Sequence, residues 1–241
     1  MVSSTTEAPF AQSRETRLAA ADAASDAKDW PQAIALWDRL RADFPENARY
    51  WHKTGEAYCH AGMFEQADRI LDEAIALFPD DEWAAYWSIV VARRKPDWPE
   101  ALRRAEKMGR AFPDSWRPMV EAAEALAALQ RLVESEEIRR EAVKRFPDEF
   151  WTHFGVARLE AERSDPPGAV RVWTELAARF PNEPAAAEAL QAAREAARHP
   201  LRQRSPGLPG APSLAGDETR PSGPPAGQSR GFPWRRRGRV R

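Results

Sequence analysis

Several features that define common protein classes are absent from this sequence of 241 residues. Its single cysteine, Cys59, cannot form an intramolecular disulfide, which excludes the disulfide framework of a small secreted scaffold. Nowhere does an apolar run reach the roughly eighteen residues that a membrane helix needs, and the stretch from Met1 to Arg14 has no apolar core. We therefore expect a soluble, cytoplasmic protein without a signal peptide.

Glycine is scarce before residue 200, and so are β-branched residues. The few glycines there are isolated, so the sequence has no phosphate-binding loop or nucleophile elbow, and it also has no Cys-x-x-Cys pair. We predict no catalytic residues and no cofactor, and hence a protein that is not an enzyme. Alanine, leucine, glutamate and arginine dominate instead, and this composition favours an all-α fold.

Charge divides the chain into two different parts. Residues 200–241 hold nine arginines and two acidic residues, whereas residues 1–199 hold 27 basic and 35 acidic residues. The tail also contains eight of the 21 prolines and seven of the 12 glycines, a composition that buries too little apolar surface to offset chain entropy. We predict disorder for residues 1–13 and for the basic tail, with a folded domain over residues 14–199.

A repeat of constant length runs through this predicted domain. The dipeptide Phe-Pro recurs every 34 residues, at Phe44, Phe78, Phe112, Phe146 and Phe180. Proline cannot continue a helix and disfavours helical angles in the residue before it. Each Phe-Pro therefore predicts a helix end at the same phase of the repeat, and we expect the phenylalanines to pack in the core with Trp37, Trp51 and Trp173.

Each repeat contains two apolar helical stripes separated by a short break, which predicts two helices. Asp29, Asp97 and Asp165 stand two repeats apart, and each precedes a proline by one or two residues. An aspartate in this position is expected to cap the helix that follows. The even-numbered repeats lack this device.

The second repeat resembles the tetratricopeptide repeat (TPR), a family of paired helices with a period of 34 residues. Trp51, Gly55, Tyr58, Ala67, Ala74 and Pro79 stand where that family places Trp, Gly, Tyr, Ala, Ala and Pro. The other repeats match less well, and the fourth has Arg139 at an aromatic position. The resemblance implies a right-handed α-solenoid of about five repeats, closed by an Ala-rich helix over residues 183–198.

In this family the first helix of each repeat lines a concave groove that binds peptides or proteins. Matching the groove positions by phase places aromatic and arginine side chains together, a mixture enriched in binding hot spots. The resemblance thus implies a non-enzymatic interaction scaffold, and its arginines suit an acidic partner. The predicted groove residues are Arg49, His52, Glu56, Trp83, Tyr86, Arg93, Arg117, Trp151, Phe154 and Arg158.

A possible metal constellation lies on the first helix of the second repeat. His52, Glu56, Cys59 and His60 share roughly one helix face and are ligand types that zinc accepts. No second set of ligands accompanies them, and this repeat is the one nearest to the family pattern. We therefore interpret these four residues as structural and predict no metal.

The end of the tail combines arginines with aromatic residues, namely Phe232, Trp234, Arg235, Arg236, Arg237, Arg239 and Arg241. Nucleic acid and an anionic membrane surface are two possible ligands, and a solvated end without a specific ligand is the interpretation that we favour. For the whole chain, the alternative to a scaffold is an accessory or truncated targeting module for a glycosyltransferase, sulfotransferase or methyltransferase.

Overall fold

A computed structural model of the chain describes residues 13–198, and every regular element in that range is an α-helix. The predictions of disorder for residues 1–12 and for the tail, including Trp234 and the arginines after it, fall outside the described residues. The helices are α1 (Arg14–Asp26), α2 (Trp30–Asp43), α3 (Ala48–His60), α4 (Phe64–Leu77), α5 (Glu82–Arg94), α6 (Trp98–Ala111), α7 (Arg117–Ala128), α8 (Leu132–Arg145), α9 (Phe150–Arg163), α10 (Pro166–Arg179) and α11 (Pro184–Arg198).

The chain divides into two compact units at Arg104, within α6. In the first unit, α2 packs against α1 and α3, and α4 packs against α3 and α5. In the second unit, α8 packs against α7 and α9, and α10 packs against α9 and α11. Within each unit, consecutive helices therefore pack against one another, and the odd-numbered helix is the first of each hairpin. None of the helices in residues 13–198 is long and apolar enough to cross a membrane.

The predicted helix ends at the Phe-Pro dipeptides are confirmed in all five repeats. α2, α4, α8 and α10 each have the phenylalanine as C-cap, with φ between −136° and −125° and ψ between 64° and 72°. The Phe112 N–H donates to the Met108 carbonyl in the same way. Each phenylalanine N–H thus closes the last helical turn, and the proline after it prevents a further one.

The aspartate caps are also confirmed. The side chains of Asp29, Asp97 and Asp165 accept hydrogen bonds from the backbone N–H groups of Gln32, Glu100 and Gly168. Neither α4 nor α8, the second helices of the even-numbered repeats, has a side-chain N-cap bond. Between the helices of a hairpin, the backbone turns through a left-handed residue at one phase of the repeat, as at Lys28 (φ 58°), Gly62 (φ 76°) and Gln130 (φ 61°).

Tryptophans occupy the core as predicted, and the phenylalanines of the Phe-Pro dipeptides are less deeply placed. Trp37, Trp51 and Trp173 are buried, whereas the phenylalanine of each Phe-Pro dipeptide is only half-buried. The reason is position: each ring stands at the helix end, where the chain leaves the interface, and Phe44 and Phe180 pack on the margin of a core cluster. The phenylalanines therefore contribute to the edge of the core and the tryptophans to its interior.

The predicted closing helix is α11. Ala186 and Ala193 are buried in the core cluster that α11 shares with α9 and α10. Its exposed positions include Glu188, Gln191 and Arg194. A helix with small residues on its inner face and polar residues on its outer face suits the end of a stacked array.

Candidate functional site

The predicted groove residues lie on the first helices of the two units, but their exposure varies widely. Half of them keep solvent-accessible surface: Arg49 is exposed, and Trp83, Arg93, Trp151 and Arg158 are half-buried. The other half are buried, namely His52, Glu56, Tyr86, Arg117 and Phe154. Tyr86 has no exposed surface at all. A partner reaches this ring only if the helices around it move apart, so we omit Tyr86 from the candidate surface.

Polar groups on the first helices of the first unit are paired across neighbouring helices. Arg49 of α3 donates to Asp22 of α1 over 2.9 Å, and both side chains are solvent-accessible. The His52 ring shares a hydrogen bond of 2.8 Å with Asp81, which precedes α5, and both of these side chains are nearly buried. These bonds fix the helices relative to one another, and they occupy two of the groups that the groove prediction had assigned to a partner.

In the second unit, one carboxylate joins three helices. Glu124 of α7 accepts from Arg139 of α8 over 2.8 Å and from Arg158 of α9 over 2.5 and 2.6 Å. Arg139 is nearly inaccessible, and a Cβ at position 155 would overlap its guanidinium, so any larger residue in place of Gly155 would displace the end of the arginine side chain. Burial raises the pKa of Glu124, but the two guanidinium groups lower it by more than burial raises it. The net shift of the pKa is therefore downward.

This triad explains a departure that the sequence had shown without a reason. Arg139 stands at a position where TPRs prefer an aromatic residue, and the structure gives it an ionic partner in place of an apolar one. The ion pairs of these arginines also affect the prediction of an acidic partner. Arg49 and Arg158 already hold carboxylates of this chain, so they offer no support for an acidic ligand.

Trp151 is the predicted groove residue best placed for binding. Its ring makes edge contacts with Phe150 and Phe154 at centroid distances of 5.0 and 5.5 Å, and it remains half-buried. Small side chains of α11, Ala185 and Ala189, pack on the same core cluster. Trp151 and these two alanines are thus partly accessible residues packed around the same core cluster.

The four residues of the possible metal constellation have separate environments. His52 bonds to Asp81, Glu56 lies 3.0 Å from Lys53, and Cys59 is buried. Burial raises the pKa of the Cys59 thiol to about 11, which keeps it protonated at neutral pH. Within residues 13–198, no group of three or more His, Cys, Asp and Glu side chains is arranged to hold a metal ion.

His60 lies in a cluster of aromatic and cationic side chains in the first unit. Its ring stacks on Trp30 at 4.3 Å and meets Trp87 edge-on at 5.3 Å. The Arg94 guanidinium lies 3.3 Å from its Nδ1, which suits a neutral ring that accepts a hydrogen bond. Burial, followed by the positive charges of Arg94, Lys53 and Lys28, lowers the pKa of His60 to about 4.

We predict that protonation of His60 destabilises the first unit in acid. The folded-state pKa lies below the unfolded value of about 6.5, so the contribution to stability is complete above pH 6.5 and is lost as the pH falls towards 4. Because the ring is partly exposed, we expect a loss of only about 1–2 kcal/mol. The check is urea unfolding across this pH range for the wild type and for His60→Phe, in which the loss should be smaller. Equal pH dependence in both proteins would contradict the assignment.

A cleft on the side of α9 opposite to Trp151 was not predicted from the sequence. It has a volume of about 420 Å³ and lies between α8 and α10, with α9 as its floor. Three half-buried valines line it, one from each helix: Val143, Val156 and Val172. The available signal was the presence of β-branched residues at partly exposed helix positions, where such residues are unfavourable. The other lining residues are Arg140, Lys144, His153, Ala157, Glu160, Glu175, Leu176 and Arg179.

Comparison with known proteins agrees with the predicted repeat. Residues 18–82 match the family model of the tetratricopeptide repeat. A thermophilic TPR protein of Thermus thermophilus is 13% identical, with a TM-score of 0.62, and the match covers 76% of this chain and 100% of that one. The match to yeast Tom70 has 16% identity and a TM-score of 0.58, and it covers 78% of this chain and 41% of that one.

A further match is a chain of the APC/C hetero-tetramer Cut9–Hcn1, at 18% identity and a TM-score of 0.51, covering 72% of this chain and 35% of that one. At these identities the likeness to solved structures shows the fold alone. The search of the curated proteins found no match. Together with the helical hairpins described above, these findings confirm the all-α fold of paired helices, and the family model supports the resemblance to the tetratricopeptide repeat over residues 18–82.

Proposed function

We propose that this chain, whose residues 18–82 match the family model of the tetratricopeptide repeat, is a non-enzymatic scaffold that binds a peptide or protein partner on its first helices. The observation that carries this proposal is Trp151, a half-buried tryptophan on α9 that two aromatic neighbours hold in place. Tryptophan is enriched among residues that dominate binding energy, and a ring already ordered before binding loses little entropy on contact.

The surface that we propose extends from Trp151 to α11. Trp151, Ala185 and Ala189 surround one core cluster, and the small alanines allow a partner backbone to approach closely. Arg158 and Glu124 neutralise one another nearby and supply polar groups without a strong field of one sign. An extended or helical segment with an apolar side chain fits this arrangement, and charge plays a secondary part.

Affinity capture from native lysate tests this proposal with the full chain and with Trp151→Ala. The matched control is Trp98→Ala, which truncates another half-buried tryptophan on a second helix, α6. We expect a protein that the wild type and the Trp98 variant retain and that the Trp151 variant binds about thirtyfold more weakly, as for the loss of a hot spot of about 2 kcal/mol. Circular dichroism verifies that each variant is folded.

Two results would reject the assignment of binding to this surface. The first is equal capture of the same species by wild type and by Trp151→Ala. The second is equal loss in both tryptophan variants, which points to a shared effect on folding. A turnover activity that copurifies with the chain and disappears with one of its own side chains would instead reject the non-enzymatic role.

A further inference from the structure

The wall of the cleft between α8, α9 and α10 is apolar and accessible. Val143, Val156 and Val172 are half-buried there, and Ala157 and Leu176 are buried beside them. The volume of about 420 Å³ lies within the range of ligand sites. Phenylalanine and tryptophan each bury about 150–250 Å² of surface, so aromatic rings are the occupants that such a wall stabilises most.

Most cations at the mouth of the cleft are held by carboxylates of this chain. Glu136 pairs with Arg140 and also with Arg163, the second over 3.2 Å. Lys144 lies 4.0 Å from Glu141. With these pairs included, the cleft and its surroundings hold four cations and four carboxylates, so the net charge by itself selects no ligand.

Two carboxylates at the mouth have no such partner. Within residues 13–198, neither the Glu160 nor the Glu175 side chain makes a hydrogen bond or an ion pair, and both are exposed. The remaining cation, Arg179, donates to the backbone carbonyl of Pro147 over 3.0 Å. An arginine brought to the cleft can therefore bond to either carboxylate through its planar fork of donors, and no existing ion pair has to break.

The chain itself carries a segment with both of these chemical features. Residues 232–237 read Phe-Pro-Trp-Arg-Arg-Arg, so two aromatic rings are followed directly by three arginines. Residues 200–241 hold nine arginines and two acidic residues, whereas residues 1–199 hold 35 acidic and 27 basic residues. Because the net charges are opposite, the two parts of the chain attract one another.

This segment is tethered close to the cleft. α11 ends at Arg198 and packs against α10, which forms one side of the cleft. Phe232 follows Arg198 by 34 residues, and a stretch of this length extends up to about 110 Å, whereas α10 is only about 20 Å long. An occupant tethered in this way has an effective concentration on the order of millimolar, so even a weak contact is populated.

We infer that the cleft is a docking site for the chain's own residues 232–237, with the two aromatic rings against the three valines and the arginines on Glu160 and Glu175. This contact replaces the solvated end that the composition of the tail favours. It goes beyond the proposed function, because it is made within the chain and on the side of α9 opposite to Trp151. While docked, the arginines are withheld from any outside ligand.

Photocrosslinking in the full chain tests the inference. The photoreactive residue p-benzoylphenylalanine replaces Phe232, and crosslinked peptides are identified by mass spectrometry after irradiation. We expect crosslinks within one chain to the cleft-lining parts of α8, α9 and α10, in a yield that does not depend on protein concentration. The variant Val172→Arg places a cation on the apolar wall and should lower this yield about tenfold.

The matched control is Val133→Arg, because Val133 is 72% exposed on α8 and lies outside the cleft. This control should leave the crosslinks unchanged. Glu160→Lys/Glu175→Lys keeps the test valid if Val172→Arg perturbs folding, since it changes only exposed side chains and should also lower the yield. Circular dichroism verifies the folding of each variant.

Four results would overturn the inference. The first is crosslinks that map outside the cleft, and the second is crosslinks that neither Val172→Arg nor Glu160→Lys/Glu175→Lys reduces. The third is crosslinks between two chains in a yield that rises with concentration, which would assign the cleft to a second copy. The fourth is capture of copurified nucleic acid in place of the cleft. Loss of the crosslinks in Trp151→Ala alone would place the segment on the proposed partner surface instead.

Discussion

Replacement of Glu124 by alanine is expected to lower the free energy of unfolding by about 3–5 kcal/mol, because it leaves two arginines without their shared carboxylate. Arg139 is nearly inaccessible and Arg158 is only 17% exposed, so water cannot readily replace the lost partner. The lowered pKa of Glu124 has the same origin: the carboxylate is more stable folded than unfolded, and this contribution disappears as acid protonates it.

Urea unfolding followed by circular dichroism measures this effect, with Glu134→Ala as the matched control. Glu134 also pairs with an arginine, Arg131, but both side chains are about half exposed. Surface pairs of this kind contribute about 0–1 kcal/mol, so the control should unfold almost as the wild type does. Similar losses of stability in both variants would show that burial does not determine how much the ion pairs of Glu124 contribute.

A third variant distinguishes the cost of an uncompensated charge from the loss of attraction. When all three members are replaced together, as in Glu124→Leu/Arg139→Met/Arg158→Met, no buried charge is left without a partner, because the other partner of Arg158, Glu162, is 50% exposed. We expect this triple variant to regain most of the stability that Glu124→Ala loses. A triple variant less stable than Glu124→Ala would mean that the attraction between the carboxylate and the two arginines contributes more free energy than an uncompensated charge costs.

Replacement of Leu40 by alanine is expected to cost about 2–5 kcal/mol, because it leaves a cavity in the core of the first unit. Leu40 lies in the last turn of α2, has no exposed surface and packs with Trp37 and Tyr50 in one cluster. In a stacked array each hairpin depends on its neighbour, so the loss should also loosen the α1–α2 hairpin from α3.

The control for this prediction is Leu77→Ala in the last turn of α4. Leu77 is 56% exposed, and its truncation should change stability by less than about 0.5 kcal/mol. Both variants replace leucine by alanine in the last turn of a hairpin's second helix, so their difference in stability measures the loss of packing and not the change in helix propensity. Hydrogen exchange of the α1 and α2 amides should rise in Leu40→Ala and remain unchanged in Leu77→Ala, and equal exchange in the two variants would contradict the packing argument.

Much of the fold was predictable because its signals act within one or two turns of chain. A proline ends a helix wherever it occurs, which explains why Phe44 and Phe180 cap their helices in the same way. Asp29 and Asp165 cap helices through bonds to residues three positions away. The constant period then required that successive hairpins pair with their neighbours.

Helical phase was less successful for the candidate site, because exposure depends on what packs against a helix. Trp151 and Tyr86 were both assigned to the groove face by phase, yet the structure leaves one ring partly exposed and the other with no accessible surface. The arginines were predicted as free anchors, but whether a cation is free depends on carboxylates far away in sequence. Glu124 lies 34 residues from Arg158 and 15 from Arg139.

The sequence by itself determined the helical hairpins, their ends and their caps, since proline, aspartate and a 34-residue period act locally and repeat. Tertiary structure alone decided which side chains are available to a partner. The cleft shows this most directly: Val172 is an ordinary helical valine in the sequence, and it lines an open cleft only because α8, α9 and α10 converge around it. The open space beside a side chain depends on how three helices pack together, so it cannot be read from any single stretch of sequence.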